Sequence, residues 1–177
     1  MLDTLITSRT RIKLLLKFFL NSKAEGYLRN LEQEFNESSN SIRIELNRLE
    51  DAGLLQSRVQ QNKKLYSANT SHPLFPDIHN IIKKYIGFDK IIEDVVEKIG
   101  LLSEVYVLGD FAIGKDSNQI DLAFVGDSIN LEYLEKLVHK VEKLIKRNIK
   151  YLVLTNNQRR DFFLNLPNEN YFLVWEE

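Results

Sequence analysis

The sequence predicts an α+β fold in three parts: a helix-turn-helix with a following hairpin over residues 1–70, a helical connector over 71–100, and a small mixed β-sheet domain over 101–177. Three observations carry this. Apolar residues recur at helical spacing as far as Gly53 and then give way to two short β-like runs. Two of the three prolines, Pro73 and Pro76, punctuate a polar join. Beyond residue 100, apolar strand-like runs alternate with a glycine turn and one long amphipathic stretch. A length of 177 residues suits two small domains with separate cores.

Positions 12, 15, 16, 19 and 20 (Ile, Leu, Leu, Phe, Leu) form a helical stripe over residues 9–20, closed by Asn21, Ser22 and Gly26. A short second helix turns Leu28, Leu31 and Phe35 inward. The polar run 36–41 is rich in N-cap residues and precedes a third helix that buries Ile42, Leu46 and Leu49 and stops at Gly53. Three short helices with a tight turn between the last two make a helix-turn-helix. Residues 54–59 and 64–68 then read as two strands joined by a polar turn at 60–63, which places a wing directly after the third helix.

The string 42–55, IRIELNRLEDAGLL, resembles the recognition helix of ArsR/MarR-type winged helix-turn-helix regulators as it runs into the wing. The resemblance covers about sixty residues and implies binding of double-stranded DNA in transcription regulation. The helical wheel agrees. With Ile42, Leu46 and Leu49 buried, Ser39, Asn40, Arg43, Asn47 and Arg48 fall on the exposed side, where they can reach phosphates or base edges in a major groove. Lys63 and Lys64 sit at the wing, in reach of an adjacent phosphate. Glu45 is expected near the same phosphates, where its charge is unfavourable. The alternative is a solvated helix face, or a wing used for protein contacts.

The charge distribution points the same way. Residues 1–69 carry 11 Lys+Arg against 8 Asp+Glu, a net of +3, whereas residues 70–177 carry 13 against 17, a net of −4. A polyanion is therefore expected to meet the front of the chain.

From Asp77 to Ile99 an apolar periodicity through Ile78, Ile81, Ile82, Tyr85, Ile91, Ile92 and Val95 predicts one bent helix or two, broken near Gly87. Such a connector serves either homodimerisation, which two-fold operators favour, or packing between domains.

Further on, 105–108 and 120–125 are apolar strand runs, a helix fits 130–147 and a third strand fits 149–154. Between the first two lies Gly109-Asp110-Phe111-Ala112-Ile113-Gly114. Strand, glycine turn, strand, helix, strand resembles the minimal nucleotidyltransferase fold related to DNA polymerase beta, some members of which carry a winged helix ahead of it. That family's motif reads Gly-Ser-x-Ala-x-Gly, a short loop, then Ser-Asp-x-Asp-Leu. Gly109, Ala112, Gly114, Asp121 and Leu122 match it. Gln119 stands where the first metal-binding Asp belongs, Asp110 replaces the phosphate-contacting Ser, and Ile113 occupies a position that is often basic. Lys150 and Tyr151 fall in the region of a further carboxylate in active members.

The family's chemistry needs two carboxylates one residue apart on a strand to hold Mg²⁺ against a nucleoside triphosphate. Gln for Asp removes a charge the cation needs, and Asp110 adds like charge where an anion would enter. The expectation is a pseudoenzyme with no cofactor, acting in sensing, dimerisation or partner binding. Two other readings stay open: an active transferase using Mg²⁺ and nucleoside triphosphate, with Asp110 or Asp116 as replacement ligands, and an antitoxin-like protein that neutralises a partner. The tail, through Phe162, Phe163 and the apolar run 171–175, is expected to add a helix and a segment that caps the sheet.

The chain has no cysteine, which excludes disulfides and Cys-based zinc sites. Its histidines, His72, His79 and His139, lack metal-ligand spacing and read as surface or loop groups. The apolar run 12–20 is interrupted by two lysines and is far shorter than the ~20 residues that span a bilayer. The setting expected from these features is cytoplasmic, with no membrane partner.

Overall fold

The computed structural model describes residues 2–87, 99–115, 117–167 and 170–177, and the side chains of these except Leu2 and Asp3. Of the sequence expectations, Ile91, Ile92 and Val95 of the connector and Asp116 of the motif loop lie outside the described residues. The chain is mixed α/β with two small sheets and divides into two compact units. Met1–Tyr85 with Ile113–Asp116 form the first, and Ile86–Ala112 with Ser117–Glu177 the second. No helix among the described residues is long and apolar enough to cross a membrane.

The first unit opens with α1 (Leu2–Leu5) and α2 (Arg9–Leu15), the latter capped by Ser8, whose hydroxyl accepts from the Arg11 amide at 3.2 Å. The expected helix 9–20 does not stay α-helical. Leu16–Leu20 continues it as a π-helical turn, and every residue from Leu14 to Leu20 is buried. The buried set therefore includes Lys17, whose ammonium meets Glu34 at 3.0 Å. After a brief strand β1 (Glu25–Tyr27) come α3 (Leu28–Phe35) and α4 (Ser39–Asp51). Asn36 turns the chain between these helices in the left-handed region, and Ser38 caps α4 by accepting from the Ser41 amide at 3.2 Å.

Gly53, at φ +73, ends α4 and its amide donates to the Glu50 carbonyl at 2.8 Å, as expected for a helix stop that only glycine adopts without strain. β2 (Leu55–Gln60) and β3 (Lys63–Ala68) follow as an antiparallel hairpin. Its tip residues, Gln61 and Asn62, both have positive φ, the geometry of a two-residue turn matched to strand twist. β1 pairs with β3, giving the order β1-β3-β2, an addition that the sequence pattern around Gly26 did not announce. Phe18, Phe19, Leu31, Ile42 and Leu46 form the core of this unit. α5 (Phe75–Ile86) packs against it through Phe75, whose ring lies 5.4 Å from that of Phe19. His79 is not a loop group: it stands on α5, stacks on Phe75, and its Nδ1 is 2.6 Å from the Phe19 carbonyl oxygen.

The second unit is a four-stranded sheet of order β6-β5-β4-β7. β4 (Leu101–Leu108) runs into the short helix α6 (Gly109–Ala112) and pairs antiparallel with β5 (Gln119–Asp127). α7 (Leu131–Ile145) is capped by Asn130 and ends at Lys146 in the left-handed region. It crosses over to β6 (Asn148–Leu154), which lies parallel to β5. α8 (Asn156–Leu164) starts with a capping box between Thr155 and Gln158. The final apolar run does not cap the sheet. It joins it as β7 (Tyr171–Glu176), antiparallel to β4, because β4 still has an edge of free amides and carbonyls to satisfy. The core gathers Val105, Val107, Phe111, Ile120, Leu122 and Phe124.

Candidate nucleic-acid interface

Five of the seven side chains expected to meet DNA converge in space. Ser39, Arg43 and Asn47 of α4 and Lys63 and Lys64 of β3 line one cleft of about 550 Å³ between helix and hairpin. Helical geometry explains the α4 contribution, since positions four apart share a face. The hairpin contribution follows from its tight turn, which carries both lysines at the start of β3. The sequence reading missed Tyr27, Arg29, Glu32 and Tyr66 and turned Leu28 inward with Leu31 and Phe35, whereas Leu28 is half-exposed; these five complete the lining. Arg29 was the legible one: it is a cation in the first turn of α3, ahead of the turn into α4.

Charge in the cleft is unevenly committed. Arg29, Asn47 and Lys63 have no side-chain partner among the described residues, and all three are exposed. Arg43 donates from Nη2 to Asn40 Oδ1 at 2.8 Å, which steadies the guanidinium while leaving most of its donors open. Asn40 is exposed but does not line the cleft. Lys64 is tied down: its Nζ meets Glu50 Oε2 at 2.5 Å and lies 5.2 Å from the centre of the Tyr66 ring. The hydrogen bond from Lys64, then that from Ser57, holds the Glu50 carboxyl below the usual glutamate range, and the same bond to Glu50 raises the Lys64 ammonium.

Arg48 and Glu45 are placed differently from expectation. Arg48 does not line the cleft. It borders a separate, mainly apolar groove with Leu49, Leu54 and Ile81, and its Nη1 meets Glu45 Oε1 at 3.2 Å. Glu45 is 5% exposed and does not face the cleft; its other oxygen accepts from Arg11 Nε at 2.8 Å. Burial pushes this carboxyl up, but hydrogen bonds from Arg11 and Ser8 and the charges of Arg11 and Arg48 outweigh burial and bring it below the ordinary value. The unfavourable anion of the sequence reading is thus neutralised internally.

In the second unit, the glycine turn and β5 bring the motif residues together. Gly109 has φ +65, and a Cβ there would lie 2.5 Å from Asp121 Oδ2, so the turn closes directly on the carboxylate. Gln119 and Asp121 share a face of β5, and Gln119 Nε2 donates to Asp121 Oδ1 at 2.7 Å. Asp110 lies in the first turn of α6. Gly114, at φ +81, belongs to the first unit and is not part of this arrangement. The register also assigns the third strand: Asp121 is opposite Lys150 on β6, and neighbours in register share a face.

On the shared face of β5 and β6, Gln119, Asp121 and Lys150 by themselves do not fit a divalent cation. One carboxylate is hydrogen-bonded by an amide, and its cross-strand neighbour is a lysine. Among the described residues, no group of three or more His, Cys, Asp or Glu side chains is gathered as a metal site.

A second concavity of about 350 Å³ lies between β4, α8 and β7, walled by Tyr106, Phe163 and Tyr171. Arg159 Nη2 donates to the Tyr106 hydroxyl at 2.7 Å and also pairs with Glu104. Burial, first, and the Glu104 carboxylate raise the Tyr106 phenol above its usual value, against the opposing pull of Arg159.

No family model matches this chain, and no curated protein matches it. Among solved structures, a nucleotidyltransferase candidate from Sulfolobus solfataricus is 24% identical, with 53% of this chain and 82% of that chain covered and a TM-score of 0.37. A toxin-antitoxin structure with AMP-PNP is 17% identical, covering 51% and 74%, with a TM-score of 0.40. A predicted DNA-binding transcriptional regulator from E. coli is 21% identical, covering 47% and 83%, with a TM-score of 0.34.

Proposed function

We propose that residues 8–69 act as a winged helix-turn-helix that binds double-stranded DNA, and that the protein is a transcriptional regulator. One observation supports this most: the cleft between α4 and the hairpin gathers Arg29, Arg43 and Lys63 with polar Ser39 and Asn47, and Arg29 and Lys63 are uncommitted. Phosphate contacts need such open cations, while Arg and Asn donors and acceptors supply base-edge readout. The second unit serves this regulator as a sensing, dimerising or partner-binding module without nucleotidyl transfer. Supporting that part is the replacement of a metal-binding carboxylate pair by Gln119 and Asp121, with Lys150 alongside.

The test is fluorescence anisotropy of the full chain on its own upstream DNA and on scrambled DNA over a salt series. Tight, salt-sensitive binding that prefers the upstream sequence supports the proposal, and the salt slope counts the phosphates contacted. Equal, salt-insensitive signals on both DNAs would reassign the cleft to protein contacts.

A further inference from the structure

The cleft contains a residue that a purely phosphate-binding surface would exclude. Glu32 lines it beside Arg43, Asn47, Lys63 and Arg29, and is the one carboxylate among the described lining residues. Despite those cations, Glu32 forms no ion pair among the described residues; its side-chain partner is the Ser39 hydroxyl, which donates to Oε2. A carboxylate left unneutralised beside a phosphate costs binding energy through like-charge repulsion. The same carboxylate is favourable where an amino group of a base edge enters, since it can only accept.

The geometry points to Glu32 as a specificity-determining residue that accepts a hydrogen bond from the N4 amino group of a cytosine in the major groove. This inference rests on the DNA-binding reading above. Ser39 begins α4 and fixes the Glu32 carboxylate at that end of the helix, the end from which helix-turn-helix proteins reach base edges. Cytosine suits the group better than adenine. The adenine amino group is flanked by the N7 and thymine O4 acceptors, both of which repel a carboxylate, whereas cytosine N4 has the O6 acceptor on one side only. Arg43, in the same cleft, is the complementary donor for guanine O6 and N7, so one C·G pair offers both residues their preferred partner.

The experiment is selection from a randomised duplex pool with the full wild-type chain, Glu32→Gln and Glu32→Ala, followed by anisotropy on the selected and scrambled duplexes. Glu32 is half-exposed and the Gln variant has its shape, so circular dichroism is expected to be unchanged. Wild type is expected to select C at one position. Both variants are expected to lose at least about fivefold of the discrimination there, while binding scrambled DNA as well as or better than wild type. Retention of the same base preference in both variants would overturn the assignment. Failure of the wild-type chain to retain any duplex would overturn the DNA-binding reading itself, and is seen before any variant is compared.

Discussion

Gln119 Nε2 donates to Asp121 Oδ1 across 2.7 Å on the face of β5, closing with an amide the space that a second carboxylate would share with a cation. Lys150 opposite Asp121 adds a positive charge to that face. Wild-type protein is therefore expected to bind Mn²⁺ no better than its general surface does. Gln119→Asp combined with Lys150→Asp is expected to raise Mn²⁺ affinity at least about tenfold, since three carboxylates then share one face. Electron paramagnetic resonance of free Mn²⁺ reads both. Tight binding by wild type would contradict the account of this site.

The positions of Arg43, Lys63 and Arg48 predict three different outcomes on DNA. Lys63→Ala should weaken binding evenly across sequences and lower the salt slope by about one. Arg43→Ala should cost about 1–3 kcal/mol and relax preference at one base position. Arg48→Ala should leave affinity nearly unchanged, because its guanidinium borders the other groove and is paired with Glu45. Equal losses for Arg43→Ala and Arg48→Ala would show that α4 meets DNA through a different face.

Glu37, Glu45 and Glu50 all lie below the ordinary glutamate value in the folded chain, through Lys13, through Arg11 and Ser8 against the opposing effect of burial, and through Lys64 respectively. Carboxyls lowered on folding contribute stability that is present above their unfolded value, about 4.3. That stability is lost as pH falls through the lower folded values. Urea midpoints should therefore decline steadily below about pH 5. Glu45→Gln should flatten the decline while lowering the plateau at neutral pH, since Arg11 keeps only a neutral partner. An unchanged slope in that variant would remove Glu45 from the explanation.

Gly109→Ala should destabilise the second unit for two separable reasons. A left-handed backbone with a Cβ costs about 1–2 kcal/mol, and the added carbon meets Asp121 Oδ2. Adding Asp121→Ala should restore the part due to contact and leave the backbone part, a difference that a double-mutant cycle in urea resolves. Strict additivity of the two changes would mean that the turn does not close on Asp121.

Much of the fold was legible because it depends on neighbours in sequence. The cap at Ser38 within the polar run 36–41, the stop at Gly53, the hairpin and the crossover helix are set by spacings of a few residues, and each appears near its expected place. The gathering of Ser39, Arg43 and Asn47 is equally local, as α4 places them on one arc. Arg48 was within reach of the same reasoning. It follows Arg43 by five positions, a rotation of about 140° around the helix, so being off the buried stripe did not put it on the same face.

What only the tertiary structure decided depends on partners far apart along the chain. Glu45 is anchored by Arg11, 34 positions earlier, so no local pattern distinguished it from the exposed residues beside it. β1 needs β3, and β7 needs β4, before either can satisfy its backbone groups as a strand. The pairing of Asp121 with Lys150 is a matter of register between strands joined by a helix. Sequence alone thus determined the local elements and the types of residue available for chemistry. Long-range packing determined which charges were neutralised, which stayed open and which faced one another, because those outcomes depend on distance in space.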